Sequence, residues 1–310
     1  MIKLTKVFIL TIKNSPREFQ IRKRLNYLKI NYKIFYAIDG KDPNNYKILN
    51  NKYNRKKSLN ILGTNMTNTQ ISIAEGHLRI YKYIIQKNIS NAIVMEDDCF
   101  PSKDFHYWLS LNKFFKNQKY DVIQIYHSFG LVKKKSEEII NQKFFIHKTC
   151  FTLPYATCYQ ISKKACKYIV SKNKKITGFA DWPINFSEGK IKQFVVLPHI
   201  VSVNYLHEET SSQKNIWNNF KKKKNIKKYI PLYKIFGALF YLLHIPFIFR
   251  VYKNYSYYKE IHLLRNLFLL KNLFLNHYID LEKTSKNKLC YSSDILDNVK
   301  KLNILKNEKN

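Results

Sequence analysis

Acidic residues are scarce in this 310-residue chain. Only 21 Asp plus Glu stand against 55 Lys plus Arg, a formal net charge of +34. So basic a chain is drawn to polyanions: nucleic acid, anionic lipid and phosphorylated sugars. Cysteine is sparse too. The five present, Cys99, Cys150, Cys158, Cys166 and Cys290, are odd in number and form no C-x-x-C, which argues against a disulfide framework or a Cys-rich zinc site and fits a reducing compartment. Long apolar runs are missing. The stretch 235–249 is broken by His244 and Pro246 and is too short to cross a bilayer as a helix, which needs about 20 residues. Behind Lys3 and Lys6, the apolar run 7–10 is too short for a secretory segment and lacks a small-residue cleavage site, so it reads as a buried strand. With no export signal in view, the protein is expected in the cytoplasm. No internal repeat occurs, nor any RNP-like, KH-like or zinc-finger pattern.

What remains is ample material for a core: 45% of residues are hydrophobic and 15% aromatic. Strand-like and helix-like stretches alternate through the first half. Residues 7–12 and 32–38 read as strands, with a helix over 17–28 opened by the turn and cap chemistry of Asn14, Ser15 and Pro16. Residues 44–68 are polar, Asn/Lys-rich and without clear period, and read as a surface loop. A helix is predicted over 69–86. Strands follow over 92–95, 120–126, 156–161 and 194–203, with a further helix opening at Ser162. This alternation predicts an α/β fold with a mostly parallel sheet, in which ligands bind beyond the carboxyl ends of the strands.

Composition changes near residue 215, so the chain divides into a catalytic domain over 1–215, a basic and apolar helical region over 216–280, and a polar tail over 281–310. Between 216 and 275 stand 12 Lys/Arg and a single acid, Glu260. Apolar faces with basic flanks suit a helix lying on an anionic membrane surface; a helical hairpin packed on the domain has the same pattern.

The sharpest local feature is Glu96-Asp97-Asp98, three adjoining acids at the end of an apolar strand in a chain poor in acids. Like charges gather where a cation or donors compensate them. Carboxylate oxygens suit Mg²⁺ or Mn²⁺. A solvated turn or the first turn of a helix also favours acids.

Around the triplet, residues 70–99 resemble the central motif of glycosyltransferase family 25, the lipooligosaccharide galactosyltransferase type. That motif is a helix bearing a Ser-His pair, a spacer, and a hydrophobic strand ending in Glu-Asp-Asp. It is matched by His77-Leu78, Ala92-Ile93-Val94-Met95 and Glu96-Asp97-Asp98. Other segments fall in the family's order: Val7-Phe8-Ile9-Leu10 through Ser15-Pro16-Arg17, Phe35-Tyr36-Ala37-Ile38-Asp39-Gly40, residues 157–165, and Ala180-Asp181-Trp182-Pro183. The resemblance covers about residues 4–210. It departs at Ser72-Ile73 and Glu75-Gly76, where the family commonly has Gly-Cys and Ser, and at Lys13 or Asn14 in place of an acid.

The resemblance implies a GT-A type nucleotide-sugar-binding fold, a UDP-sugar donor, a lipooligosaccharide or lipopolysaccharide acceptor, a divalent cofactor (Mn²⁺ or Mg²⁺) and inversion at the anomeric carbon. Carried over, Asp98 is a metal ligand and Glu96 faces the metal or the donor ribose. Asp97 turns toward backbone or a neighbouring Arg/Lys on the donor side. Asp181 is the candidate base for the acceptor hydroxyl, or else the N-cap of the segment opening at Trp182-Pro183. His77 and Arg79 are candidate diphosphate contacts, His77 alternatively orienting an acid and Arg79 alternatively covering the helix surface. Asn14 and Asp39 are candidate uridine contacts or ordinary turn residues. His207, followed by Glu208 and Glu209, is preferred over His199 as a third metal ligand. Two other readings compete: a nucleic-acid binder, supported by charge and 23 Tyr but lacking any recognition motif, and an inactive scaffold. Nucleic acid is therefore not an expected partner.

Overall fold

The computed structural model describes residues 4–62, 65–111, 120–127, 131–134, 138–140, 144–149, 153, 156–180, 191–203 and 278–280. Asp181, His207 and nearly all of the basic C-terminal region lie outside the described residues, so the expected helical region stays an expectation. At its far end Tyr278–Asp280 forms a short strand.

The chain opens with β1 (Lys6–Thr11), an apolar run buried on both faces as expected of a central strand. Helix α1 (Pro16–Tyr27) starts where predicted: the Ser15 side chain accepts from the Glu18 N–H and Pro16 supplies the first turn. Strand β2 (Tyr32–Tyr36) follows. The expected loop over 44–68 is instead largely helical: a 3-10 turn (Pro43–Asn45), α2 (Tyr46–Lys52) and α3 (Arg55–Leu62). Each is only one or two turns long, and the buried anchors are few, Leu49 of α2 and Ser58 of α3 among them, so no long apolar period marks the segment.

Helix α4 (Asn68–Gln86) begins with a capping box in which Thr67 and Gln70 satisfy each other's backbone N–H. Its buried stripe, including Ile71, Ala74, Ile80 and Ile84, packs on the sheet. Gly76 permits that approach, because a Cβ there would sit 2.4 Å from the Leu10 side chain. Strand β3 (Asn91–Glu96) leads through the Asp97-Asp98 turn into β4 (Cys99–Pro101). Then come α5 (Phe105–Ser110), β5 (Val122–Gln124), β6 (Leu131–Lys133), β7 (Glu138–Ile140), β8 (Phe144–Lys148) and β9 (Cys158–Ser162). Helix α6 (Lys163–Lys172) is capped by Ser162. The predicted strand over 194–203 is two strands, β10 (Gln193–Leu197) and β11 (Val201–Val203), parted at Pro198, which has no N–H to give a ladder. Tyr278–Asp280 is β12, antiparallel to β6.

Eight strands form one sheet in the order β2-β1-β3-β9-β5-β10-β8-β7. Strand β1 is parallel to β2 and β3, and β5 is parallel to β10. Strand β9 runs against β3 and β5, and β8 against β10 and β7. The sheet is thus mixed, with β8 and β9 reversed, where strand–helix alternation predicted a mostly parallel one. A parallel return needs a crossover, usually a helix; between β5 and β9 the described chain supplies strands instead.

The layers follow from the period of two. Phe8, Leu10, Ala92, Val94, Tyr159 and Ile161 face α4 and α6 in one core. Val7, Ile9, Ile93, Met95 and Cys158 face α1 and α5 in the other, around Trp108, Phe105 and Phe144. Glu96 continues the α4-facing register of Ala92 and Val94, and that register directs its carboxylate toward α4.

Candidate functional site

The acidic triplet closes the carboxyl end of β3, beside the ends of β1 and β9. Its turn is pinned from β9: the Thr157 carbonyl accepts the Glu96 N–H at 2.8 Å and the Cys99 thiol at 3.1 Å. Each acid then faces a different environment.

Glu96 is held by α4. Its Oε1 lies 3.2 Å from Nε2 of His77, which is itself buried. Nδ1 of His77 lies 2.7 Å from the Tyr159 hydroxyl, and the Tyr159 and Tyr81 hydroxyls are hydrogen-bonded to one another. The His77 and Tyr159 rings stack with centroids 5.8 Å apart. His77 thus joins Glu96 at the end of β3 to Tyr159 on β9.

Asp97 turns the other way. Its Oδ2 accepts from the Thr11 hydroxyl at 2.7 Å, and its Oδ1 lies 3.5 Å from the Arg17 guanidinium. The loop after β1 is thereby tied to the triplet. That loop is built by Asn14, whose φ of 61° is a left-handed turn position that Asn tolerates. The Asn14 N–H donates to Glu18, which also takes Arg22 and the Tyr36 hydroxyl. Burial opposes ionisation of Glu18, but these donors outweigh it and hold its pKa below the usual value.

Asp98 is the unsatisfied member. Its Oδ1 is buried and has no hydrogen-bond partner. Burial first, then the charges of Glu96 and Asp97, push its pKa up to about 7. Burial and the Asp97 charge raise Glu96 to about 7 as well, against the pull of Arg17. Two acids pushed toward protonation, one with an orphaned oxygen, form an electrostatic deficit that a cation removes. The donors are hard oxygens, suited to Mg²⁺ or Mn²⁺. Such ions are held by one or two carboxylates plus substrate phosphates rather than by a full protein cage. Among the described residues no group of three His, Cys, Asp or Glu side chains able to hold a metal is assembled. His199 therefore does not join Glu96 and Asp98.

The remaining candidates are dispersed. The Asp39 carboxylate accepts from the Lys41 N–H in a local turn, and its carbonyl accepts from Asn45. Close by, an open cleft of about 550 Å³ is lined by Gly40, Lys41, Tyr46, Met66 and the start of α4. Gly40 is required there, since a Cβ would lie 2.5 Å from the Thr69 backbone. The guanidinium of Arg79 bonds Glu75 at 2.8 Å and the Tyr36 carbonyl, while Lys52 reaches Glu75 from α2 at 2.6 Å. Arg79 thus ties α4 to β2. Asp181 and His207 lie outside the described residues. Ala180, the residue before Asp181, lines a small void with His77 and Tyr81.

One buried polar cluster escaped sequence reasoning. Beyond the carboxyl ends of β5 and β10, Nε2 of His199 lies 3.0–3.1 Å from the ring nitrogens of His127, with centroids 4.1 Å apart. Burial lowers His127 to about 4 and His199 well below its ordinary value. No local motif signals the pair, which sits 72 positions apart in the chain.

A family model described as glycosyltransferase family 25 (LPS biosynthesis protein) matches residues 4–187. No curated protein matches the chain. Among solved structures the chain is similar to one titled "Crystal Structure of A197 from STIV", at 14% identity over 63% of this chain and 84% of that one, with a TM-score of 0.35. So low a TM-score says nothing of the site.

Proposed function

This chain belongs to glycosyltransferase family 25, whose model spans more than half of it, and from that premise we propose that it moves a hexose, galactose, from a UDP-sugar to a lipooligosaccharide acceptor with inversion. The observation that carries the reading is the buried, partnerless Oδ1 of Asp98 beside a Glu96 that His77 holds in place. Asp98 and Glu96 hold Mn²⁺ or Mg²⁺ in this scheme. The ion, when bound, neutralises the departing diphosphate.

The chain's own residues do the rest. Arg17 and Thr11 fix Asp97 so that the β1 loop stays beside the triplet. Asp39, adjoining Gly40 at the edge of the cleft beyond β2, and Asn14, in the loop after β1, contact the nucleoside in this scheme. Asp181 takes the proton from the acceptor hydroxyl; its support is its neighbour Ala180, which lines the same small void as His77. His207 is the proposed third protein ligand. The basic C-terminal region draws the enzyme to the anionic inner face of the cytoplasmic membrane, where a lipid-anchored, phosphorylated acceptor resides.

The test is a donor screen on purified protein with truncated lipooligosaccharide, with and without EDTA. Transfer from a UDP-sugar that EDTA abolishes is expected. Binding of the acceptor with no turnover from any donor overturns the reading in favour of a scaffold.

A further inference from the structure

We infer that Tyr159 is a positioning residue for the metal-binding carboxylate Glu96, acting through His77; the inference rests on the proposed role of Glu96. Tyr159 sits on β9 opposite Val94 of β3, two residues before Glu96 on the face that meets α4. Its hydroxyl is buried and reaches His77 on one side and Tyr81 on the other.

The direction of these hydrogen bonds follows from the donors available. A Glu96 carboxylate that binds a cation has no proton to give, so His77 must carry its proton on Nε2 and donate to it. In neutral imidazole Nδ1 is then a bare acceptor and needs a donor. The Tyr159 hydroxyl, 2.7 Å away, supplies the proton. The Tyr159 oxygen in turn accepts from Tyr81. Every proton along Tyr81, Tyr159 and His77 points toward Glu96, and each bond polarises the next in the same sense. With the other tautomer, Nε2 and Oε1 would meet lone pair to lone pair at 3.2 Å.

A buried histidine needs only to be packed and satisfied. Here both nitrogens are committed, the ring is stacked on Tyr159, and the chain of hydroxyls ends on one oxygen of a carboxylate whose side chain is 25% exposed. Strand β9 thus sets the orientation of a ligand on β3 through a helix residue. Groups bonded directly to a ligand, as His77 is here, tune metal affinity by about 10–100-fold, and Tyr159, one bond further out, acts at the low end of that range.

Tyr159→Phe removes one oxygen and keeps the ring, so packing persists. Calorimetric titration of Mn²⁺ into the full-length protein with UDP present is the test. Tyr159→Phe is expected to weaken Mn²⁺ binding about 10-fold, and donor turnover to recover to near wild type once Mn²⁺ is raised to saturation. Tyr81→Phe, which leaves the His77–Tyr159 contact in place, is expected to lose several-fold, and it carries the test if Tyr159→Phe does not fold. Unchanged Mn²⁺ affinity in the variants beside tight wild-type binding overturns this inference alone. So does a turnover loss that excess Mn²⁺ does not repair. Wild-type protein that binds no Mn²⁺ overturns the metal role of Glu96 with it.

Discussion

Replacing Asp98 by Asn sets stability against function. In the cation-free protein the Asp98 carboxyl is driven from 3.8 to about 7 by burial and by its acidic neighbours. Each unit corresponds to about 1.4 kcal/mol, which caps the penalty near 4 kcal/mol; partial exposure and shared repulsion with Glu96 reduce it to about 2 kcal/mol. The sign follows from proton binding. Between 3.8 and about 7 the folded state holds the proton more tightly than the unfolded state, so stability falls as pH rises through that window. Asp98→Asn removes the penalty. In EDTA at pH 8 the variant should melt above wild type by roughly 4–8 °C for a domain of this size. The gain should shrink to about a third at pH 5 and vanish below the unfolded value. Adding Mn²⁺ with UDP should reverse the order, because wild type gains far more binding energy than the variant, about 2.7 kcal/mol at a hundredfold excess over its Kd. Thermal melts by circular dichroism at the two pH values decide it. A variant no more stable than wild type at pH 8, or a difference that ignores pH, refutes the electrostatic reasoning.

The buried His127–His199 pair predicts an opposite slope on the acid side. His127 is depressed from 6.5 to about 4, so its contribution is intact above 6.5 and is lost as pH falls toward about 4, worth about 3 kcal/mol at most. Urea titrations of His127→Gln should show a flatter acid limb than wild type; an identical limb removes the pair from the account. Gly40→Ala forces a Cβ against the Thr69 backbone at 2.5 Å. It should cost about 1–3 kcal/mol, read as a lower urea midpoint, and an unchanged midpoint would show that the cleft edge yields freely.

Much of the frame was legible because both faces of the sheet are covered. The unbroken apolar runs of β1 and β3 and the amphipathic stripe of α4 announce themselves, as do the helix starts at Ser15 and Ser162, whereas the Thr67 cap lay within the stretch read as loop. The triplet stood out by charge against a basic background. Helices α2 and α3 did not, since each depends on a few anchors such as Leu49 amid Asn and Lys. Reversal of β9 was hidden because direction is a property of connection, not of strand composition. The partners of the site residues were least visible. Tyr159 reaches His77 across 82 positions, and Thr11 reaches Asp97 across 86. Only the sheet order brings such groups together. Arg79 likewise has partners that its spacing did not reveal, Glu75 and the Tyr36 carbonyl.

The most direct measurement is a titration of UDP into the wild-type and Asp98→Asn proteins, each with Mn²⁺ and with EDTA. Wild type should bind UDP with one Mn²⁺ and lose most of that affinity in EDTA, while the variant should bind weakly and without regard to the metal. Equal UDP binding by both proteins, unaffected by EDTA, would contradict the placement of a cation between Glu96, Asp98 and a sugar diphosphate.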